Sequence, residues 1–133
     1  MIFDYFKQLD DFILAADEIL DVEVIRRTIW DTELEIVGIY RYKIYMCDGS
    51  FLELTERLVE GKDGLDVTKY RFHWQTKDGN LIKRWDNARH HPEIKTFPHH
   101  LHEGSEENVS AHKEIKGLEI LSRIVKEISA KLS

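Results

Sequence analysis

The Asp-Gly pairs Asp48-Gly49 and Asp78-Gly79 each stand between runs that alternate apolar and polar residues. That leaves residues 35–86 little choice but a series of antiparallel hairpins. Glu35–Met46 carries one apolar face, Ile36, Tyr40, Tyr42 and Ile44, and Phe51–Glu60 carries Leu52, Leu54 and Leu58 at alternate positions. A two-residue turn at Asp48-Gly49 would pair Tyr45 with Leu52 and send the two apolar sets to opposite faces. A three-residue loop, Cys47-Asp48-Gly49 with Gly49 left-handed, pairs Ile44 with Leu52 and Tyr42 with Leu54. Because a one-residue slip turns every side chain over, this second register is expected. After a turn at Gly61-Lys62-Asp63-Gly64, Val67–Thr76 places Tyr70, Phe72 and Trp74 on one face and Lys69, Arg71 and His73 on the other. A two-residue turn at Asp78-Gly79 then pairs Phe72 with Trp85 and Thr76 with Leu81, with Arg71 opposite Asp86 and His73 opposite Arg84.

The flanks read differently. Phe3, Phe6, Leu9, Phe12, Ile13 and Ala16 recur at three- and four-residue spacing, which predicts an amphipathic helix over residues 3–16. The β-branched run Val22–Ile29 predicts a first strand. From Asn87 to about His112 no period survives, and Pro92, Pro98 and Gly104 interrupt the stretch. A segment this long without regular structure is usually functional when it lies inside a compact domain. Ile115, Leu118, Leu121, Ile124, Val125, Ile128 and Leu132 predict a closing helix near Lys113–Leu132. Together these elements make one α+β domain over residues 1–133: an N-terminal helix, an antiparallel meander sheet of about five strands, a histidine-rich loop at 87–112 and a C-terminal helix. Both helices are expected on one face of the sheet.

Composition narrows the function. Residues 1–38 hold ten acids against three bases, a net of −7, so the rest of the chain is +1 within a total of −6. Five of the seven histidines lie between Lys83 and His102, beside Lys83, Arg84, Arg89 and Lys95. An anionic partner meeting this second part is not repelled at contact. One cysteine, Cys47, fits a reducing compartment, and there is neither an apolar run that would span a membrane nor a basic, apolar leader. A cytoplasmic protein is expected. Phosphate-loop, dinucleotide and Gly-x-Ser-x-Gly signatures are missing, so no motif supports nucleotide hydrolysis, redox chemistry or serine hydrolysis.

The informative segment is Arg84-Trp85-Asp86-Asn87-Ala88-Arg89-His90-His91-Pro92-Glu93-Ile94-Lys95-Thr96-Phe97-Pro98-His99-His100-Leu101-His102, preceded by Tyr70-Arg71-Phe72-His73-Trp74. Over about residues 68–103 it resembles the TumE family of small bacterial and archaeal toxins. That family's pattern reads roughly W/Y-D-N-A-P-H-H-P-E-x-x-T-F-P-H-H-K-H after a strand ending Y-x-F/Y-H-W. The chain departs from it at Arg89, where the family has proline, and at Leu101, where it has lysine. The resemblance implies a toxin with a cognate antitoxin as partner, and it carries no catalytic assignment.

The chemistry therefore rests on the residues. Cleavage of RNA by its own 2′-hydroxyl needs a base, an acid and positive charge on the phosphate oxygens, and imidazoles with an arginine supply all three without a metal. His99 and His100 are the expected catalytic pair, with His91 or His73 as substitutes. Arg84 and Arg89 are expected on phosphate, and Trp85 and Phe97 as stacking platforms. Under this reading there is no cofactor. A second reading is a site for zinc or another divalent metal, since His100 and His102 at i and i+2 face one way in an extended chain. Its ligands would come from His90, His91, His100 and His102 with Glu93 or Asp86. A third reading is structural, the imidazoles hydrogen-bonding loop carbonyls and holding the loop over the sheet. A fourth is a non-enzymatic binding protein whose loop recognises an antitoxin or a host target; a homo-oligomer is left open. Adjacent histidines point apart, so His90-His91 and His99-His100 each offer one inward ring. Asp86 and Asn87 are most simply turn residues, Cys47 an idle thiol, and Glu53 and Glu56 solvated strand positions.

Overall fold

A computed structural model describes residues 1–133, with helix α1 (Ile2–Ala15), strands β1 (Ile19–Asp31), β2 (Ile36–Met46), β3 (Phe51–Gly61), β4 (Gly64–Gln75), β5 (Leu81–Asp86), β6 (His100–Glu103) and β7 (Val109–Ala111), and helix α2 (Gly117–Leu132). The strands form one antiparallel sheet in chain order, β1 to β7. The α+β meander is therefore as expected, with seven strands rather than about five. The two additional strands come from the stretch expected to be irregular. His100-Leu101-His102 alternates over only three residues, too few to read as a strand without the neighbour that pairs with it. No helix is long and apolar enough to cross a membrane.

Both helices lie on one face. Ile2, Tyr5, Phe6, Leu9 and Ile13 of α1 and Ile120, Leu121, Ile124 and Ile128 of α2 share one core with Tyr40, Tyr42, Leu52, Leu54, Phe72, Trp74 and Trp85 of the sheet. Phe3, expected on the apolar face of α1, is exposed, and Ile2 and Tyr5 take its place. The second helix begins at Gly117, later than Lys113, because β7 and an extended link through buried Ile115 use those residues.

The first hairpin has the expected register, with Ile44 opposite Leu52 and Tyr42 opposite Leu54. The second reaches its register by a different route. Phe72 does pair with Trp85, but Gln75, not Thr76, stands opposite Leu81, and the ladder shifts between Trp74 and Gln75. The turn there is a three-residue loop like the first: Thr76 N–H bonds the carbonyl of Asn80 at 2.9 Å, as Met46 N–H bonds that of Ser50 at 2.9 Å. Gly49 and Gly79 hold matching left-handed φ values of +89° and +91°. A bulge one step down the strand removes the extra residue and restores the apolar face.

At the centre of the core lies a carboxyl. Glu56 is fully buried, where a solvated position was expected, and Tyr5 and Tyr40 both donate to its Oε1, the first at 2.6 Å. Burial raises its pKa above the usual 4.5, outweighing the donors that favour the carboxylate. A carboxyl whose folded pKa is raised contributes stability below the unfolded value that is lost as pH rises through the folded one. Wild-type protein should therefore lose stability relative to Glu56→Gln as pH climbs from about 4.5. Urea unfolding of both proteins at several pH values checks this, and a constant gap between them would contradict it.

Candidate functional site

Alternation along β5 sends Trp85 into the core and its neighbours Arg84 and Asp86 to the face without helices. On β6 the same alternation sends Leu101 toward the core and His100 and His102 to that open face. Pairing then fixes who meets whom: His100 lies opposite Asp86 and His102 opposite Arg84. On the other side of β5, Arg71 lies opposite Asp86 and His73 opposite Arg84. Residues 87–99 fold back through successive tight turns, among them Ile94 N–H to the His91 carbonyl at 3.1 Å and His99 N–H to that of Thr96 at 2.9 Å. Thr96 fixes the loop's end, bonding the His99 carbonyl through its hydroxyl and accepting the His112 amide.

This fold-back brings His91 onto the cluster. Its ring centroid lies 5.0 Å from that of His100 and 5.6 Å from that of His102, and those two are 4.9 Å apart. One nitrogen from each ring lies within 4.8 Å of the others. His100 and His102 are 2% and 4% exposed, whereas the His91 side chain is 29% exposed and is the open side of the group.

The tautomers follow from the partners. His100 Nδ1 lies 2.9 Å from the carbonyl of Pro98, and His102 Nδ1 lies 2.9 Å from that of Glu106. A carbonyl only accepts, so each Nδ1 carries a proton and each Nε2 turns inward. His100 Nε2 lies 2.9 Å from Asp86 Oδ1, and His102 Nε2 lies 3.8 Å from Asp86 Oδ2. The outer nitrogen of His91, Nδ1, faces Glu93 at 3.3 Å. Burial lowers the pKa of His102, which favours the neutral ring.

Asp86 is the hub. It accepts from the Ala88 amide at 3.0 Å and from Arg84 Nε at 3.3 Å, besides facing both histidines. The Arg84 guanidinium is fully used, because its terminal nitrogens grip both oxygens of Glu106. That grip holds the Glu106 carboxyl down to about 2. Arg71 is different. It is exposed, and its pKa is lowered by partial burial and by the nearby charge of Arg84, with no carboxylate hydrogen-bonded to it in compensation. It is the open guanidinium beside the cluster.

The expected residues thus separate. His91, His100 and His102 come together with Asp86 and Arg84. His99 does not join His100: it faces the core side, its Nδ1 2.8 Å from the Tyr70 hydroxyl and its ring stacked 5.8 Å from that of Tyr70. Neighbours on an extended chain point to opposite faces, so the adjacent pair cannot act on one phosphate. His90 is exposed away from the cluster, and Glu93 stands behind His91. Trp85 is 5% exposed within the core and offers no stacking surface. Arg89 lies over the Phe97 ring, 4.8 Å from its centroid, so each occupies the other. His73 sits on the site's face but bonds Gln75 at 2.9 Å. Asn87 ties the loop to β4, accepting from the Tyr70 amide and donating to the Thr68 carbonyl. Arg71 and Glu106 were not expected as site residues. The strand register already placed Arg71 opposite Asp86, whereas no spacing in the sequence marks Glu106.

Residues 9–132 match the model of the protein family described as Toxin TumE. No curated protein and no solved structure matches the chain.

Proposed function

The chain belongs to the TumE family of toxins, and we propose that it acts on RNA, with His91, His100, His102 and Asp86 as its reaction centre and Arg71 as the cation that meets phosphate. As the toxin of a toxin–antitoxin pair it has a cognate antitoxin for its protein partner. The observation that carries the RNA reading is the convergence of three imidazoles and one carboxylate on the open face, beside an uncommitted guanidinium. In the reaction proposed, the 2′-hydroxyl attacks its own phosphorus and gives up its proton. The bond to the 5′-oxygen breaks, that oxygen gains a proton, and a cyclic phosphate remains. The centre has to move those two protons and hold the phosphate's growing charge, which neutral imidazoles and an arginine do near neutral pH.

Expression in a bacterial host, with growth and RNA integrity followed together, tests the proposal. Wild type should arrest growth and fragment RNA. His99→Ala should keep both within about tenfold, since its ring serves Tyr70, whereas His100→Ala/His102→Ala should lose both by more than about a hundredfold. Growth arrest with intact RNA would overturn the RNA reading in favour of a binding protein. Loss of activity in His99→Ala alone, from folded protein, would overturn the residue assignment.

A further inference from the structure

Three ring nitrogens and one carboxylate converge on a single buried point. His100 and His102 give their Nδ1 protons to backbone carbonyls and turn Nε2 toward the Asp86 carboxylate, at 2.9 and 3.8 Å. A ring nitrogen and a carboxylate oxygen this close in a buried place share a cation, either a proton on the ring or a metal ion in its place. Arg84 satisfies one edge of Asp86, at 3.3 Å, and is otherwise spent on Glu106. The inward side is left to whatever the three rings share.

We propose that His91, His100, His102 and Asp86 bind one divalent transition-metal ion of the zinc class. Three imidazoles and one carboxylate suit zinc or cobalt rather than magnesium or calcium, which prefer oxygen ligands. Each ring has its outer nitrogen turned to an oxygen, those of Pro98, Glu106 and Glu93, and this is the arrangement that orients metal-binding histidines. The backbone supplies the rigidity. Two ligands stand at i and i+2 on β6, the third lies directly across on β5, and the fourth arrives on the loop.

The geometry sets what binding must change. Four ligands at tetrahedral bond lengths stand about 3.3 Å apart, while the three ring nitrogens here span up to 4.8 Å. His100, His102 and Asp86 are held in the sheet, so the closure falls to His91 and its loop. Binding therefore draws residues 87–99 down onto the open face. A divalent ion at this point also acidifies bound water and neutralises phosphate charge, which is the chemistry the RNA reading asks of the cluster. The metal site shares its residues with that reading, but its occupancy is measured without RNA.

The test uses tag-free full-length protein, loaded with Zn²⁺ or Co²⁺ and freed of excess. About one ion per chain is expected, with the visible band of tetrahedral Co²⁺. Loading should raise the melting temperature and protect residues 87–99 from protease. His102→Ala should retain no ion. His91→Ala, which removes a ring 29% exposed on a loop, should leave the fold intact and bind at least tenfold more weakly. Folded wild type that retains no ion, or that binds as well without His102, would overturn the site. Stoichiometric metal without RNA cleavage would sustain the site and defeat the RNA reading, and cleavage by folded protein that retains no ion after loading would do the reverse.

Discussion

Replacing His91 by alanine is expected to reduce RNA cleavage about a thousandfold while leaving the fold intact. The two halves of that expectation have separate causes. His91 stands on a loop with its side chain 29% exposed, and its outer nitrogen has only a long 3.3 Å contact with exposed Glu93, so its removal leaves no buried partner unpaired. The stability loss should stay below about 1 kcal/mol, as for surface changes generally. Function is another matter, because His100 and His102 lie beneath it almost without exposure, and a substrate or an ion reaches them by way of His91. Paired measurements of cleavage rate and urea unfolding check both parts. A variant that cleaves at the wild-type rate would remove His91 from the site, and one that unfolds would return it to a structural role.

The second large effect lies on the opposite face. Gly117→Ala should destabilise the protein by about 2–3 kcal/mol, although alanine is ordinarily the better helix former. A Cβ built at Gly117 would stand 2.5 Å from both Glu56 Oε1 and the Tyr40 hydroxyl, and 3.2 Å from Glu56 Cδ. Neither group can withdraw freely, because Tyr5 and Tyr40 both bond that carboxylate oxygen and both rings are packed in the core. The amino end of α2 is thus fitted to the carboxyl that ties α1 to β3. The melting temperature should fall by roughly 8–12 °C, and Tyr40→Phe, which removes the crowded hydroxyl, should make the second substitution less costly than it is alone. An unchanged or raised melting temperature in Gly117→Ala would contradict this account of the core.

Much of the frame is legible because the sheet's alternation is enforced by burial. Phe72 meets Trp85 even though the turn that joins their strands is one residue longer than expected, since a bulge at Ile82 restores the apolar face. Burial of the face selects the register, and the turn adapts to it. The same alternation implies that one of His99 and His100 faces away from the other, and the structure assigns His99 to Tyr70. What the sequence hides is long-range. Strand β6 has four residues and takes its place only by pairing with β5, and Glu106 reaches Arg84 from a loop twenty-two residues on. Glu56 reads as a solvated strand position until two tyrosines from other elements are seen to donate to it. His91 joins the cluster through a loop whose turns follow no period, so its convergence with His100 and His102 could not be read from spacing alone.

The most direct test of the central claim is to mix the pure, folded chain with RNA in the absence of any other protein and to follow the ends that form. New fragments ending in cyclic phosphate, accumulating with protein concentration and missing with His91→Ala, are the predicted result. RNA that stays intact at stoichiometric amounts of metal-loaded, folded protein would contradict the claim that this cluster is an RNA-cleaving centre.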